Sequence, residues 1–183
     1  MPIPRIASAH TAVLIVDMQA GLMPHIHDGD AVIAQTQRLL SGSAVLEVPM
    51  LVTEQYPKGL GATVPQVARH LDGAAARCEK LQFSAYVPQV KDELVRRGVR
   101  TVLVAGVEAH VCILQTCLDL AEQGYVVAVA VDAIGSRRAM DRDIAVRRLV
   151  QAGIVLTTVE SALMEMVHDA GGPTFKAMLP IVK

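Results

Sequence analysis

Three side chains in this sequence are the parts of a nucleophilic hydrolase: a thiol, Cys112, an acid, Asp17, and an amine, Lys80. Each stands just past a segment that reads as a strand. Asp17 follows Thr11-Ala12-Val13-Leu14-Ile15-Val16, and Lys80 follows Ala76-Arg77-Cys78-Glu79. Cys112 follows Arg100-Thr101-Val102-Leu103-Val104-Ala105-Gly106 and the short turn Val107-Glu108-Ala109-His110. Val111 to Gly124 has helical spacing, which predicts the thiol in the first turn of a helix. There, unpaired N–H groups and the positive end of the helix dipole favour thiolate over thiol, and a lowered pKa is what makes a cysteine reactive.

Each residue also has a plainer reading. Asp17 can act as a general base, a metal ligand, a phosphoryl acceptor or a loop cap, although Gln19 stands where a phosphatase would carry its second acid. A lysine at the end of a strand can be only a solvated charge. Free cysteine is often a small buried hydrophobe, and that suits Cys78 in its strand and Cys117 beside Leu114, Leu118 and Ala121. Zinc between Cys112 and Cys117 is not expected, because five residues of helix turn the two sulfurs about 140° apart. His25-x-His27 has no acidic or thiol partner at ligand spacing, so no metal is expected. Gly59-Leu60-Gly61 lacks the third glycine and the strand–turn–helix setting of a dinucleotide fingerprint. It reads as a flexible lid, and no cofactor is expected.

The elements that must position these groups alternate strand and helix. Strands are expected at Thr11–Val16, Met50–Thr53, Ala75–Glu79, Thr101–Ala105, Tyr125–Val131 and Ile154–Thr157. Helices are expected near 31–46, 111–123, 139–151 and 160–168, and another opens at Pro88 and is closed by Gly98. Long loops fill 20–30 and 56–65. Continuous apolar strands with helical crossovers imply a six-stranded parallel sheet covered on both faces. Right-handed crossovers then give a three-layer, doubly wound, Rossmann-like α/β fold, whose ligands lie beyond the carboxyl ends of the strands.

Composition narrows the function. At 183 residues, with no internal repeat or linker, the chain reads as a single domain over 1–183. No apolar run approaches the roughly 20 residues of a membrane span, and the amino terminus lacks the pattern of a secretory signal. The net charge of −1, without a basic stripe and with no tryptophan, argues against nucleic acid. Three cysteines without a disulfide framework suit a reducing cytoplasm. The apolar tail, Gly171 to Val182, is expected to pack against a neighbouring subunit, making the protein a homo-oligomer.

Three segments carry a family resemblance: Leu14-Ile15-Val16-Asp17-Met18-Gln19, Glu79-Lys80-Leu81-Gln82-Phe83-Ser84-Ala85-Tyr86, and Ala105-Gly106-Val107-Glu108-Ala109-His110-Val111-Cys112-Ile113-Leu114-Gln115-Thr116. With Asp132-Ala133 and Ser136-Arg137 they resemble the isochorismatase-like (cysteine hydrolase) superfamily, from Ala12 to Val167. Thr53 to Gly61 resembles the subgroup of isochorismatase domain-containing proteins in particular.

The resemblance implies a triad of Asp17 as base, Lys80 as the cation that steadies the ionised pair, and Cys112 as nucleophile. It also implies a cis Val107–Glu108 peptide, with the backbone N–H groups of Glu108 and Cys112 forming an oxyanion hole. Nicotinamidases carry an Asp-x-His metal site where this chain has Thr53-Glu54-Gln55, so the reaction is expected to be metal-independent. Isochorismatases cleave a vinyl ether without a cysteine, and retention of Cys112 favours an amide C–N bond cut through a thioester. Gln19, Leu22, Tyr56, Phe83 and Ser84 are expected to line a small-molecule pocket partly covered by the 56–65 loop. The alternative is an oligomeric binding or scaffold protein that keeps the fold with negligible turnover.

Overall fold

The chain's computed structural model describes residues 4–71 and 75–183. Six strands form one parallel sheet: β1 (Thr11–Val16), β2 (Met50–Gln55), β3 (Ala75–Lys80), β4 (Thr101–Val107), β5 (Val126–Gly135) and β6 (Val155–Thr157). Their order across the sheet is β3-β2-β1-β4-β5-β6. The helices are α1 (Gly29–Val45), α2 (Pro57–Leu60), α3 (Pro65–Ala68), α4 (Pro88–Arg96), α5 (Leu114–Glu122), α6 (Ala139–Gln151), α7 (Val159–Val167) and α8 (Pro173–Val182).

Two apolar layers follow from the strand period. Val13 and Ile15 of β1 face one side, where they join Leu39 and Leu40 of α1, Leu163 of α7 and Met178 of α8. Ala12, Leu14 and Val16 face the other, with Val90 and Leu94 of α4, Leu120 of α5 and Leu149 of α6. Every residue of β1 and β4 is buried, as expected of strands covered on both faces. The result is the expected three-layer, doubly wound α/β fold. Proline opens α4, and Gly98, at φ +62°, follows its end as the sequence predicts.

Some boundaries differ from expectation. Strand β2 runs on to Gln55 and β4 to Val107, so polar residues read as loop are held in the sheet. Strand β5 continues to Gly135 after its register with β4 shifts between Val104 and Gly106. The 56–65 loop contains α2 and the start of α3. The tail is a helix, α8, and its Met178 is wholly buried against its own chain. The expectation that this segment packs on another subunit is therefore corrected for that side chain. Periodicity shows that an apolar face needs cover, but not which chain supplies it.

The strand order turns outward in both directions from the β1–β4 pair, the point at which such sheets open a crevice. Gly106 sets how closely the two strands meet there. Its φ is +121°, and a Cβ on it would lie 2.1 Å from the Val16 carbonyl oxygen. No other residue type fits that approach.

Candidate active site

Asp17 leaves β1 with φ +53°, a left-handed conformation that turns the chain sharply at the carboxyl end of the strand. Its backbone N–H donates to Thr53 O at 3.1 Å and its carbonyl accepts from Gln19 N at 2.8 Å, so the turn is held from both sides. Its carboxylate is fully buried and finds its partners on three other strands or their extensions. Thr53 Oγ1 of β2 donates to Oδ1 at 2.8 Å, and Lys80 Nζ of β3 donates to Oδ2 at 2.6 Å. The Cys112 thiol, beyond β4, lies close enough to the same carboxyl group to feel its charge.

The ammonium of Lys80 is as deeply buried as its partner, with no side-chain exposure. Its two remaining donors are shared among Gln55 Oε1 at 2.8 Å, Phe83 O at 2.9 Å and Gln82 O at 3.3 Å. A charge taken out of water is tolerated only when paired and fully hydrogen-bonded, and this one is.

Cys112 lies within a π turn, Ala109–Ile113, that precedes α5. The expected site in the first turn of an α-helix is corrected: regular α spacing begins at Leu114. Single π turns are frequent at functional sites, and apolar spacing alone does not distinguish them from α. The Val107–Glu108 peptide bond is cis. The Val111 and Ile113 N–H groups both donate to Glu108 O, at 3.1 and 3.2 Å. Thr116 ties the turn down, donating to Cys112 O at 2.6 Å and accepting from Ala85 N at 2.7 Å.

The electrostatics also differ from expectation. Burial, reinforced by the Asp17 carboxylate, pushes the Cys112 thiol up to about 12, against the opposing pull of Lys80 and of the Glu108 backbone N–H on the sulfur. Burial likewise raises Asp17, opposed by Lys80 and by its hydrogen bonds. The resting site therefore holds a neutral thiol beside a carboxylate that is paired with lysine. It can move a proton from sulfur to carboxylate at the moment of attack, and it has no free-standing thiolate.

The isochorismatase domain family matches residues 11–161. This chain belongs to that family. Isochorismatase domain-containing protein 1 of Danio rerio is 42% identical over 179 residues, which cover 97% of this chain and 62% of the relative. The share of the relative from Salmo salar is the same, so the chain spans about 62% of the first curated relatives it matches. A solved structure described as MAR1 ribonuclease from Caenorhabditis elegans superposes with TM-score 0.94 at 37% identity, covering 98% of this chain and 92% of that one. YcaC from Pseudomonas aeruginosa, solved with hexane-2,5-diol and covalent acrylamide, has TM-score 0.89 at 26% identity over 99% of this chain and 93% of its own. YcaC from Escherichia coli, described as an octameric hydrolase of unknown specificity, has TM-score 0.87 at 26% identity over 98% and 93%.

In this isochorismatase-family chain the expected pocket residues divide. Leu22 lines a cavity of about 330 Å³ with His25, Glu108 and Arg137. Tyr56 lines a second, of about 350 Å³, which Lys80 and Leu81 border. Phe83 is 53% exposed at the rim, with its carbonyl on Lys80. Ser84 is buried, and its hydroxyl accepts from Tyr86 N at 3.2 Å.

Gln19 does not line a pocket, and that expectation is corrected. It is wholly buried, donating to Gln55 O at 2.9 Å and Gly61 O at 2.6 Å and accepting from Gln55 N at 2.7 Å. The loop is correspondingly fastened, not a free lid. Ala20 and Gly21 donate to Ala62 O and Leu60 O, Val64 N donates to Met18 O, and Glu54 accepts from Thr63 N and Oγ1 at 2.7 and 2.6 Å. Sequence reasoning gave no role to Thr53, Gln55, Thr116 or Arg137. They lay within the segments that carry the family resemblance, but neither spacing nor polarity pointed to the partner each one meets.

Proposed function

We propose that this chain is a metal-independent cysteine hydrolase that cleaves an amide-type C–N bond of a small molecule. The observation that carries the reading is the fully buried Lys80–Asp17 pair at 2.6 Å, with the Cys112 thiol close enough to feel both charges. A base, a cation and a nucleophile gathered at the ends of neighbouring strands are what covalent catalysis by a weak thiol requires.

In this mechanism Asp17 takes the proton from Cys112 as the sulfur adds to the substrate carbonyl. The backbone N–H groups of Glu108 and Cys112 receive the developing oxyanion, such donors being worth about 3 kcal/mol of barrier each. Asp17 then gives its proton to the leaving nitrogen, the C–N bond breaks and a thioester remains. Water, deprotonated by Asp17, adds to the thioester carbon. The C–S bond breaks, the acid departs and the sulfur regains its proton. Lys80 keeps Asp17 oriented, and holds its negative charge when the carboxylate is free of the proton.

We further propose a single domain over the chain, a reducing cytoplasmic setting suited to its three unpaired cysteines, and a homo-oligomer, as for the E. coli YcaC octamer. A small carbonyl compound is preferred to RNA, despite the ribonuclease description of the C. elegans structure, because the chain's net charge of −1 offers little to a phosphate backbone. One observation favours the alternative, a binding protein without turnover: Cys112 is only 6% exposed.

Mass spectrometry of the intact protein, incubated with a panel of small amides, ureides and esters, separates the two. The enzyme reading expects an acyl adduct on Cys112 that is absent in Cys112→Ser and suppressed in Asp17→Asn. No adduct with any substrate, together with Cys112 alkylation that ignores Asp17→Asn and Lys80→Met, favours the binding protein.

A further inference from the structure

Glu108 has two faces. Its backbone carbonyl accepts from Val111 and Ile113, the residues on either side of Cys112, while the residue also lines the cavity of about 330 Å³ shared with Leu22, His25 and Arg137. Its carboxylate grips the Arg137 guanidinium from one side, accepting from Nε at 2.8 Å on Oε1 and from Nη2 at 3.4 Å on Oε2. The Glu108 side chain is 11% exposed and that of Arg137 is 62% exposed. Among the described residues nothing else accepts from the guanidinium. Its second edge, Nη1 and Nη2, is therefore left without a protein acceptor among the described residues, on a side chain that is largely exposed and belongs to the cavity lining.

A guanidinium is a rigid planar fork with five donors, and a carboxylate on one edge fixes the plane in which the other edge is presented. That other edge matches a second carboxylate with two parallel N–H···O bonds. The field alone does not draw an anion here, because Glu108 and Asp141 both face the one guanidinium. Recognition has to come from the oriented edge.

We propose that Arg137, held by Glu108, binds a carboxylate of the substrate beside the nucleophile, so that the substrate class is a small amide bearing a carboxyl group. This rests on the cysteine-hydrolase reading above and makes Arg137 its specificity-determining residue.

Iodoacetate and iodoacetamide test it, since they are nearly the same size and differ by carboxylate against carboxamide. The readout is the ratio of their alkylation rates at Cys112, followed by mass spectrometry and divided by the same ratio for free cysteine. Arg137→Gln should lower this ratio about five- to tenfold. Arg137→Lys should lower it partway, because an ammonium keeps the charge but not the fork. The double variant Arg137→Gln/Glu108→Gln restores the charge balance and should stay low.

An unchanged ratio in Arg137→Gln, or full recovery in the double variant, overturns the inference; recovery would mean that the field had been read instead of the edge. Labelling at Cys112 with an invariant ratio removes this inference alone. No labelling of Cys112 by either reagent in any variant removes the cysteine reading and this inference with it.

Discussion

Lys80 brings a full positive charge into a site with no water contact, and four oxygens from three stretches of chain surround its nitrogen. Removing one member of such a pair leaves the other buried and uncompensated, at a cost of about 3–5 kcal/mol, whereas removing both charges is far less damaging. Lys80→Met and Asp17→Asn should therefore each lower the urea midpoint sharply, while the double variant should lose clearly less than the sum of the two. Strict additivity in that cycle would mean that the two groups do not stabilise each other. The chemical candidates at this scale are legible in the sequence, because an acid after five apolar residues, a lysine at a strand end and a cysteine after a strand–turn all break a buried pattern. Their supporting side chains are not. Gln19 meets Gln55 across 36 residues and Arg137 meets Glu108 across 29, and no local period encodes a hydrogen bond at that separation.

At the scale of elements, the site depends on connections more than on strands. The 56–64 segment is tied to the turn after β1 by backbone bonds and by the Gln19 amide, which uses both its ends. Gln19→Leu is nearly isosteric but leaves one buried N–H and two buried carbonyls without this partner. Each unsatisfied group costs about 1–3 kcal/mol. The expected result is lower stability together with faster hydrogen exchange confined largely to residues 56–64, which native-state exchange with mass spectrometry would register. Unchanged protection there would show that the backbone bonds suffice without the amide. Gly59-Leu60-Gly61 reads as a free lid because glycine signals conformational range, not the contacts that use it. Gly59 is in fact overlaid by the Tyr56 ring, which would lie 2.3 Å from a Cβ. The π turn is hidden for a related reason, since one extra residue per turn scarcely alters the apolar spacing from Val111 onward.

Across the whole molecule the alternation of strand and helix is enough to foresee the layered sheet, since buried parallel strands and their covering helices leave a continuous apolar signature. The assembly state leaves no comparable mark. Met178 is covered by its own chain, yet Tyr56, Leu81 and Phe83 are between 51% and 77% exposed on the rim of the site. Apolar side chains gathered in this way commonly mark contacts between proteins. Light scattering at micromolar concentration should thus return a mass of several 19.5 kDa chains, and a mass of one would remove the homo-oligomer from the proposal. The order β3-β2-β1-β4 has a final consequence. Asp17 stands after β1, Lys80 is the last residue of the outer strand β3 two places away, and Cys112 lies beyond β4. On the proposed mechanism the assembled site is thus a property of the completed half-sheet: until those strands have paired, the sulfur has neither the acid that would receive its proton nor the amine that would hold that acid in place.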